Sequence, residues 1–154
     1  MLMRTWRVLA IVALGVVGVV VGVGVEPASG RAATTPLPAE TPVPGAPARW
    51  SEKHLFHVRY ESTPVPVPLL AVHTWTITVT DAAEQPVRGA NVTVLGGMPA
   101  HGHGLPTTPV VSELGDGRYR IEGLKVHMPG AWTVAFRIKA STGTDAVSFA
   151  LDLP

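Results

Sequence analysis

Hydrophobic and polar residues alternate with a period of two through most of the chain after residue 72. The clearest stretch is "HTWTITVT" (73–80), in which Trp75, Ile77 and Val79 share one face and threonines occupy the other. Similar alternation or short apolar runs bounded by turn residues predict seven strands, at 54–60, 73–80, 90–95, 110–113, 118–122, 131–139 and 145–152. The pattern predicts an all-β fold, an immunoglobulin-like antiparallel β-sandwich of about seven strands.

The N-terminal part has a different pattern. Val8 to Val25 form eighteen residues without a charge, preceded by Arg4 and Arg7, which predicts a hydrophobic helix that targets the chain to the membrane. The length of this run allows either a retained single-pass anchor or a signal peptide cleaved near small residues such as Ala28. In both cases the rest of the chain is expected outside the cytoplasm, either held at the cell membrane or free in the periplasm.

The domain organisation follows from these changes in composition. Residues 1–28 are expected to be a signal-anchor or signal peptide, 29–50 a proline-rich tether, and 51–154 the β-sandwich domain. The absence of cysteine excludes a disulfide framework and any thiolate metal site. With 12 basic and 11 acidic residues and no basic patch, nucleic acid is not an expected partner.

Two echoing motifs carry the candidate chemistry. "GGMPAHGHG" (96–104) and "HMPG" (127–130) both combine Met-Pro with histidine. In an antiparallel sandwich successive strands reverse direction, so the connections before the second, fourth and sixth predicted strands lie at one end. The two motifs lie in two of these connections, and the topology therefore predicts that they meet.

Imidazole and thioether donors together suit copper, as Cu(I) or Cu(II), better than zinc, calcium or magnesium. The predicted metal ligands are Met98, His101, His103, His127 and Met128. If residues 101–103 are extended, both imidazoles there face one side. The alternative is that the histidines are ordinary loop residues and the methionines fill the open end of the core.

Three other histidines are expected to have no ligand role. His73 begins a strand and is interpreted as a hydrogen-bonded packing partner of the loops, while His54 and His57 are predicted to face opposite sides of one strand. No nucleophile elbow, carboxylate pair or phosphate loop occurs, so the protein is not expected to be an enzyme. A metal-free interaction domain that docks on a membrane complex is the alternative function.

Three sequence blocks resemble the YtkA-like family, which is akin to FixH-type proteins. They are "HTWTITVTDAAEQPVRGANV", "GGMPAHGHGLPTTPVV" and "DGRYRIEGLKVHMPGAW", and the resemblance covers roughly residues 72–136. It implies a small β-sandwich outside the cytoplasmic membrane, with a link to copper handling or to assembly of a copper-containing membrane oxidase. A FixH-type protein usually has a fuller membrane context than this tethered chain.

Overall fold

The computed structural model describes residues 45–154. The predicted membrane segment, residues 1–28, and the tether up to residue 44 lie outside the described residues. No helix in the described part has the length and apolarity that crossing a membrane requires.

The described chain folds into nine antiparallel strands in two sheets. The strands are β1 (Ala48–Trp50), β2 (His57–Thr63), β3 (Val72–Thr80), β4 (Asn91–Met98), β5 (His103–Gly104), β6 (Val110–Gly115), β7 (Arg118–Lys125), β8 (Gly130–Ala140) and β9 (Gly143–Leu153). One sheet has the order β1-β2-β3-β7-β6 and the other the order β5-β4-β8-β9. Without the short β1 and β5, this is the four-plus-three arrangement of a constant-type immunoglobulin sandwich. The predicted all-β, immunoglobulin-like sandwich is confirmed.

The core lies between the sheets, where the alternating residues point inward. On β3, Trp75, Ile77 and Val79 are buried, while the threonines between them are half-buried on the outer face. Tyr60 stacks on Trp75 with ring centroids 4.2 Å apart, and Phe136 packs on Trp75 from the opposite sheet. The alternation thus supplies the hydrophobic face that each sheet buries against the other.

The first predicted strand, 54–60, begins too early. His54 has a φ of 59° in a turn, and the strand starts at His57. His54 and His57 therefore do not share a strand, and the predicted opposition of their side chains was wrong. Both rings contact the Trp50 ring instead, with centroid distances of 6.1 and 5.0 Å.

The last three residues of the predicted tether, Ala48–Trp50, form the edge strand β1. This strand pairs with β2, with Ala48 opposite Arg59 and Trp50 opposite His57. Three residues beside prolines are too few to show an alternating pattern in the sequence. They form a strand because β2 offers them an edge with which to pair.

The strand directions sort the connections between the two ends of the sandwich. Residues 64–71, 99–109 and 126–129 lie at one end, which we call the histidine end. Residues 51–56, 81–90, 116–117 and 141–142 lie at the other, which we call the charged end.

Candidate metal centre at the histidine end

The three connections of the histidine end meet over a small core of their own. Met98, Val126 and Trp132 are buried there, and Val67, Leu105 and Met128 pack against them. The Leu70 amide donates to the Val126 carbonyl at 2.8 Å, which joins the first connection to the third. The two echoing motifs therefore lie side by side, as the topology predicts.

A tight hairpin carries the first motif. After β4, a 3₁₀ turn at Pro99–His101 ends at Gly102 with a φ of 65°, and β5 then pairs back with Met98 opposite His103 and Gly97 opposite Gly104. A Cβ at Gly97 would collide with the His103 carbonyl oxygen, so this close pairing requires glycine. The glycines of this motif leave no hydrophobic periodicity in the sequence, and the same glycines allow the hairpin to form.

His101 and His103 come together by a different route from the predicted one. Residues 101–103 are not extended, since His101 belongs to the 3₁₀ turn. The two exposed rings nevertheless lie nearly parallel, with centroids 6.2 Å apart and an interplanar angle of 11°. The premise of an extended loop was wrong, although the two imidazoles are neighbours.

His127 brings a third imidazole from the second motif. Its ring centroid lies 6.0 Å from that of His103, and its ring meets Trp132 edge-on at 5.3 Å. The buried Nδ1 of His127 has no hydrogen-bond partner among the described residues. A buried ring nitrogen without a partner is costly, so a ligand at this position would satisfy it.

Trp132 supports this corner, and the sequence did not identify it as part of the site. It is 1% exposed, and its Nε1 donates to the Met128 carbonyl at 2.9 Å. This bond holds the backbone of the residue that follows His127. The only available signal was the inward position of Trp132 in an alternating strand five residues after a histidine.

The two methionines differ in their surroundings. Met98 is 2% exposed, and a Cβ on the neighbouring Gly130 would lie 3.1 Å from the Met98 Cε. Met98 thus packs as a core residue, which was one of its two expected roles. Met128 is half-buried on the outside of the same cluster, so its thioether is the more accessible of the two.

His73 is buried beneath the first connection rather than beside the other histidines. Its Nδ1 lies 3.3 Å from the Ala71 carbonyl, which can only accept, so Nδ1 donates. Burial lowers the pKa of His73, and this hydrogen bond partly opposes the shift. The ring therefore packs as a neutral group, in keeping with its interpretation as a hydrogen-bonded packing partner.

Within residues 45–154, no group of three or more His, Cys, Asp or Glu side chains is placed to hold a metal ion. The arrangement offers neighbouring imidazole pairs, with His103 next to both His101 and His127, and thioethers close by. The thioether sulfur of methionine does not belong to any of those four residue types. Any metal here would therefore depend on imidazole and sulfur together.

Known proteins point to a family and a fold. The sequence model of the YtkA-like family matches residues 56–137, which is more than half of the chain. No curated protein matches. The chain is similar to a DUF4426 family protein from Pseudomonas aeruginosa PAO1, whose crystal structure has 15% sequence identity and a TM-score of 0.50, over 71% of this chain and 94% of that one. At this identity the likeness concerns the fold alone.

Proposed function

This chain belongs to the YtkA-like family, and we propose that it is a membrane-tethered, extracytoplasmic copper-binding module. Its metal would be held at the histidine end by His103 and His127, with His101 and Met128 as further donors and the buried Met98 packed beneath them. The observation that carries the proposal is the approach of His103 and His127, from two separate connections, to a centroid distance of 6.0 Å.

That distance fits two imidazoles on one ion. Metal–nitrogen bonds of about 2 Å place coordinated ring centroids roughly 5 Å apart at a tetrahedral angle and about 6.3 Å apart when the two nitrogens lie on opposite sides of the metal, so separations of about 6 Å correspond to a wide angle. Both neighbouring pairs, at 6.2 and 6.0 Å, fall in this range. The unpartnered Nδ1 of His127 adds a buried nitrogen that a metal ion, or a proton donor turned toward it, would satisfy.

The kinds of donor favour copper. No Asp or Glu occurs in residues 62–72, 96–109 or 126–131, so the carboxylate ligands on which calcium and magnesium sites depend are missing from all three connections. Thioether sulfur prefers Cu(I), and imidazole binds copper in both oxidation states. A site with both donors can keep hold of the ion when its oxidation state changes.

The same composition favours a carrier or assembly role over catalysis. Apart from the histidines proposed as ligands, the three connections contain no carboxylate, lysine or cysteine to act as acid, base or nucleophile. The exposed rings of His101 and His103 suit exchange of an ion with a partner. We therefore propose a role in copper handling or in the assembly of a copper-containing membrane enzyme.

A copper titration of the full chain in detergent, in competition with a chelator, tests the proposal. His103→Ala/His127→Ala should lower the affinity at least tenfold, since it removes both imidazoles of the central pair. The matched control is His54→Ala/His57→Ala, which removes two imidazoles near Trp50, away from the histidine end. Equal affinity of the two double variants would refute the site.

The alternative is a metal-free interaction domain that docks on a membrane complex. The exposed side chains of Val65 and Val72, at the same end of the sandwich as the imidazoles, support it. If the chain binds no copper above background but co-purifies with a membrane protein, and Val65→Asp abolishes that association, the alternative is correct.

A further inference from the structure

Exposed apolar side chains are concentrated at the histidine end. Among the described residues seven large hydrophobic side chains are exposed: Trp50, Val65, Leu69, Leu70, Val72, Leu95 and Val110. Four of them belong to or border the 64–71 connection, with Val65 80% exposed and Leu70 63% exposed. Val110 begins β6 at the same end, and Leu95 lies in the half of β4 that approaches it. A patch of this kind usually marks a contact surface.

The connections that carry most of this patch are poor in charged side chains. No Asp, Glu, Lys or Arg occurs in residues 62–72, 96–109 or 126–131, and the nearest charged residues on the strands, Lys125 and Glu122, pair with Val72 and Val110 at the margin of the patch. A protein surface that only faces water normally carries charged side chains. An uncharged apolar surface loses little when it enters a medium that cannot solvate ions.

The described part of the chain begins at this end of the domain. The Tyr60 amide donates to the Pro47 carbonyl at 3.1 Å, and Ala48 pairs with Arg59. Since β2 runs toward the histidine end and β1 runs away from it, Pro47 lies at that end. The nineteen residues between Val25 and Gly45 span at most about 60 Å if fully extended as polyproline II. If the segment 8–25 is anchored in the membrane, as the proposed function holds, a tether of this length lets the patch reach the same membrane.

We propose that the histidine end rests on the lipid bilayer, with Val65 and Leu70 at the boundary between headgroups and acyl chains. This proposal rests on the membrane tethering included in the proposed function, but not on copper binding. The contact would turn His101 and His103 toward the membrane surface. An integral membrane protein could then exchange an ion with the site by diffusing in the plane of the bilayer.

Single-cysteine labelling tests the contact, because the chain has no cysteine of its own. Val65→Cys is compared with Ser141→Cys, an exposed position at the charged end, each with a polarity-sensitive fluorophore. The full-length variants are reconstituted into vesicles of pure phospholipid. Emission from position 65 should shift to the blue and be quenched by brominated acyl chains, whereas emission from position 141 should match that of the dye in water.

Two readouts separate the proposal from its premise. If the chain does not float with the vesicles, tethering fails and the proposal fails with it, whatever the copper titration shows. If the chain floats but the label at position 65 reports water, tethering stands and the bilayer contact is refuted. A blue shift without quenching by brominated lipid would also refute it, in favour of contact with protein. Leu69→Asp/Leu70→Asp in the Val65→Cys background should remove the shift.

Discussion

The two ends of the sandwich are held together in different ways. At the charged end, carboxylates bind backbone groups of the connections: Asp81 accepts from the Ala83 and Gln85 amides, and Glu113 accepts from the Gly89 amide. Arg88 also pairs with Asp116 across this end. At the histidine end, an apolar cluster under the connections takes the place of these carboxylates.

This difference decides which end is open to a partner. The polar groups of the charged end are largely used within the molecule, so they contribute to stability and offer little to a ligand. The histidine end leaves imidazoles and apolar side chains exposed. We infer that the charged end serves the fold, and that the histidine end serves binding.

The largest expected effect comes from removing the apolar support of the histidine end. Trp132→Ala should lower the free energy of unfolding by about 3–5 kcal/mol, because a fully buried aromatic side chain leaves a cavity. Urea denaturation of the full chain in detergent measures this. Trp50→Ala, at a residue that is 45% exposed, is the control and should cost less than about 1 kcal/mol. Equal costs would mean that the apolar cluster does not hold this end together.

At the charged end, Asp145 should have the next largest effect. Its buried carboxylate accepts hydrogen bonds from the Ser51 hydroxyl at 2.5 Å and from the Lys53 amide at 2.9 Å. Burial would raise the pKa of Asp145, but these bonds and two further amides outweigh it, so the pKa lies below the ordinary 3.8. Asp145→Asn should cost about 1.5–3 kcal/mol at pH 7, as expected for hydrogen bonds to a charged group.

The pH dependence of this cost follows from the lowered pKa. The stabilisation by the Asp145 carboxylate is fully present above pH 3.8 and is lost as the pH falls through the lower folded-state value. The difference between wild type and Asp145→Asn in urea denaturation should therefore shrink below pH 3.8. A difference that stays constant from pH 7 to pH 2 would rule out this role of the carboxylate.

A smaller effect, on binding rather than on the fold, is expected at the hairpin. Gly97→Ala places a methyl group against the His103 carbonyl and should force β5 away from β4, weakening copper binding about tenfold, or about 1.4 kcal/mol. Gly104→Ala is a matched control on the facing strand, where the nearest atom to the new Cβ would be 3.8 Å away. If the two variants bind copper with equal affinity, copper binding does not depend on the geometry of the hairpin, and the prediction is wrong.

How much the sequence could predict also differs between the strands and the ends. The alternation on β3 and β8 identifies the inward residues, and alternating strand directions bring "GGMPAHGHG" and "HMPG" to one end. The inward positions follow from the two-residue repeat of a β-strand, and the shared end follows from the reversal of direction between successive strands. Both can be derived from a single sequence.

The details of the connections could not be predicted in this way. Gly97 and Gly102 allow a hairpin that no hydrophobic pattern marks, and the turn at His54 depends on Asp145, more than ninety residues away, which accepts from its neighbours Lys53 and Leu55. Strand β1 exists because β2 offers it an edge. Such features depend on contacts between distant segments.

Copper K-edge X-ray absorption of the full chain, loaded with one equivalent of copper, tests most directly whether two connections share one ion. We expect at least two imidazole nitrogens and a sulfur around the metal. His103→Ala and His127→Ala should each remove one imidazole from the spectrum, while His57→Ala should leave it unchanged. A spectrum unaffected by His127→Ala would contradict the shared site.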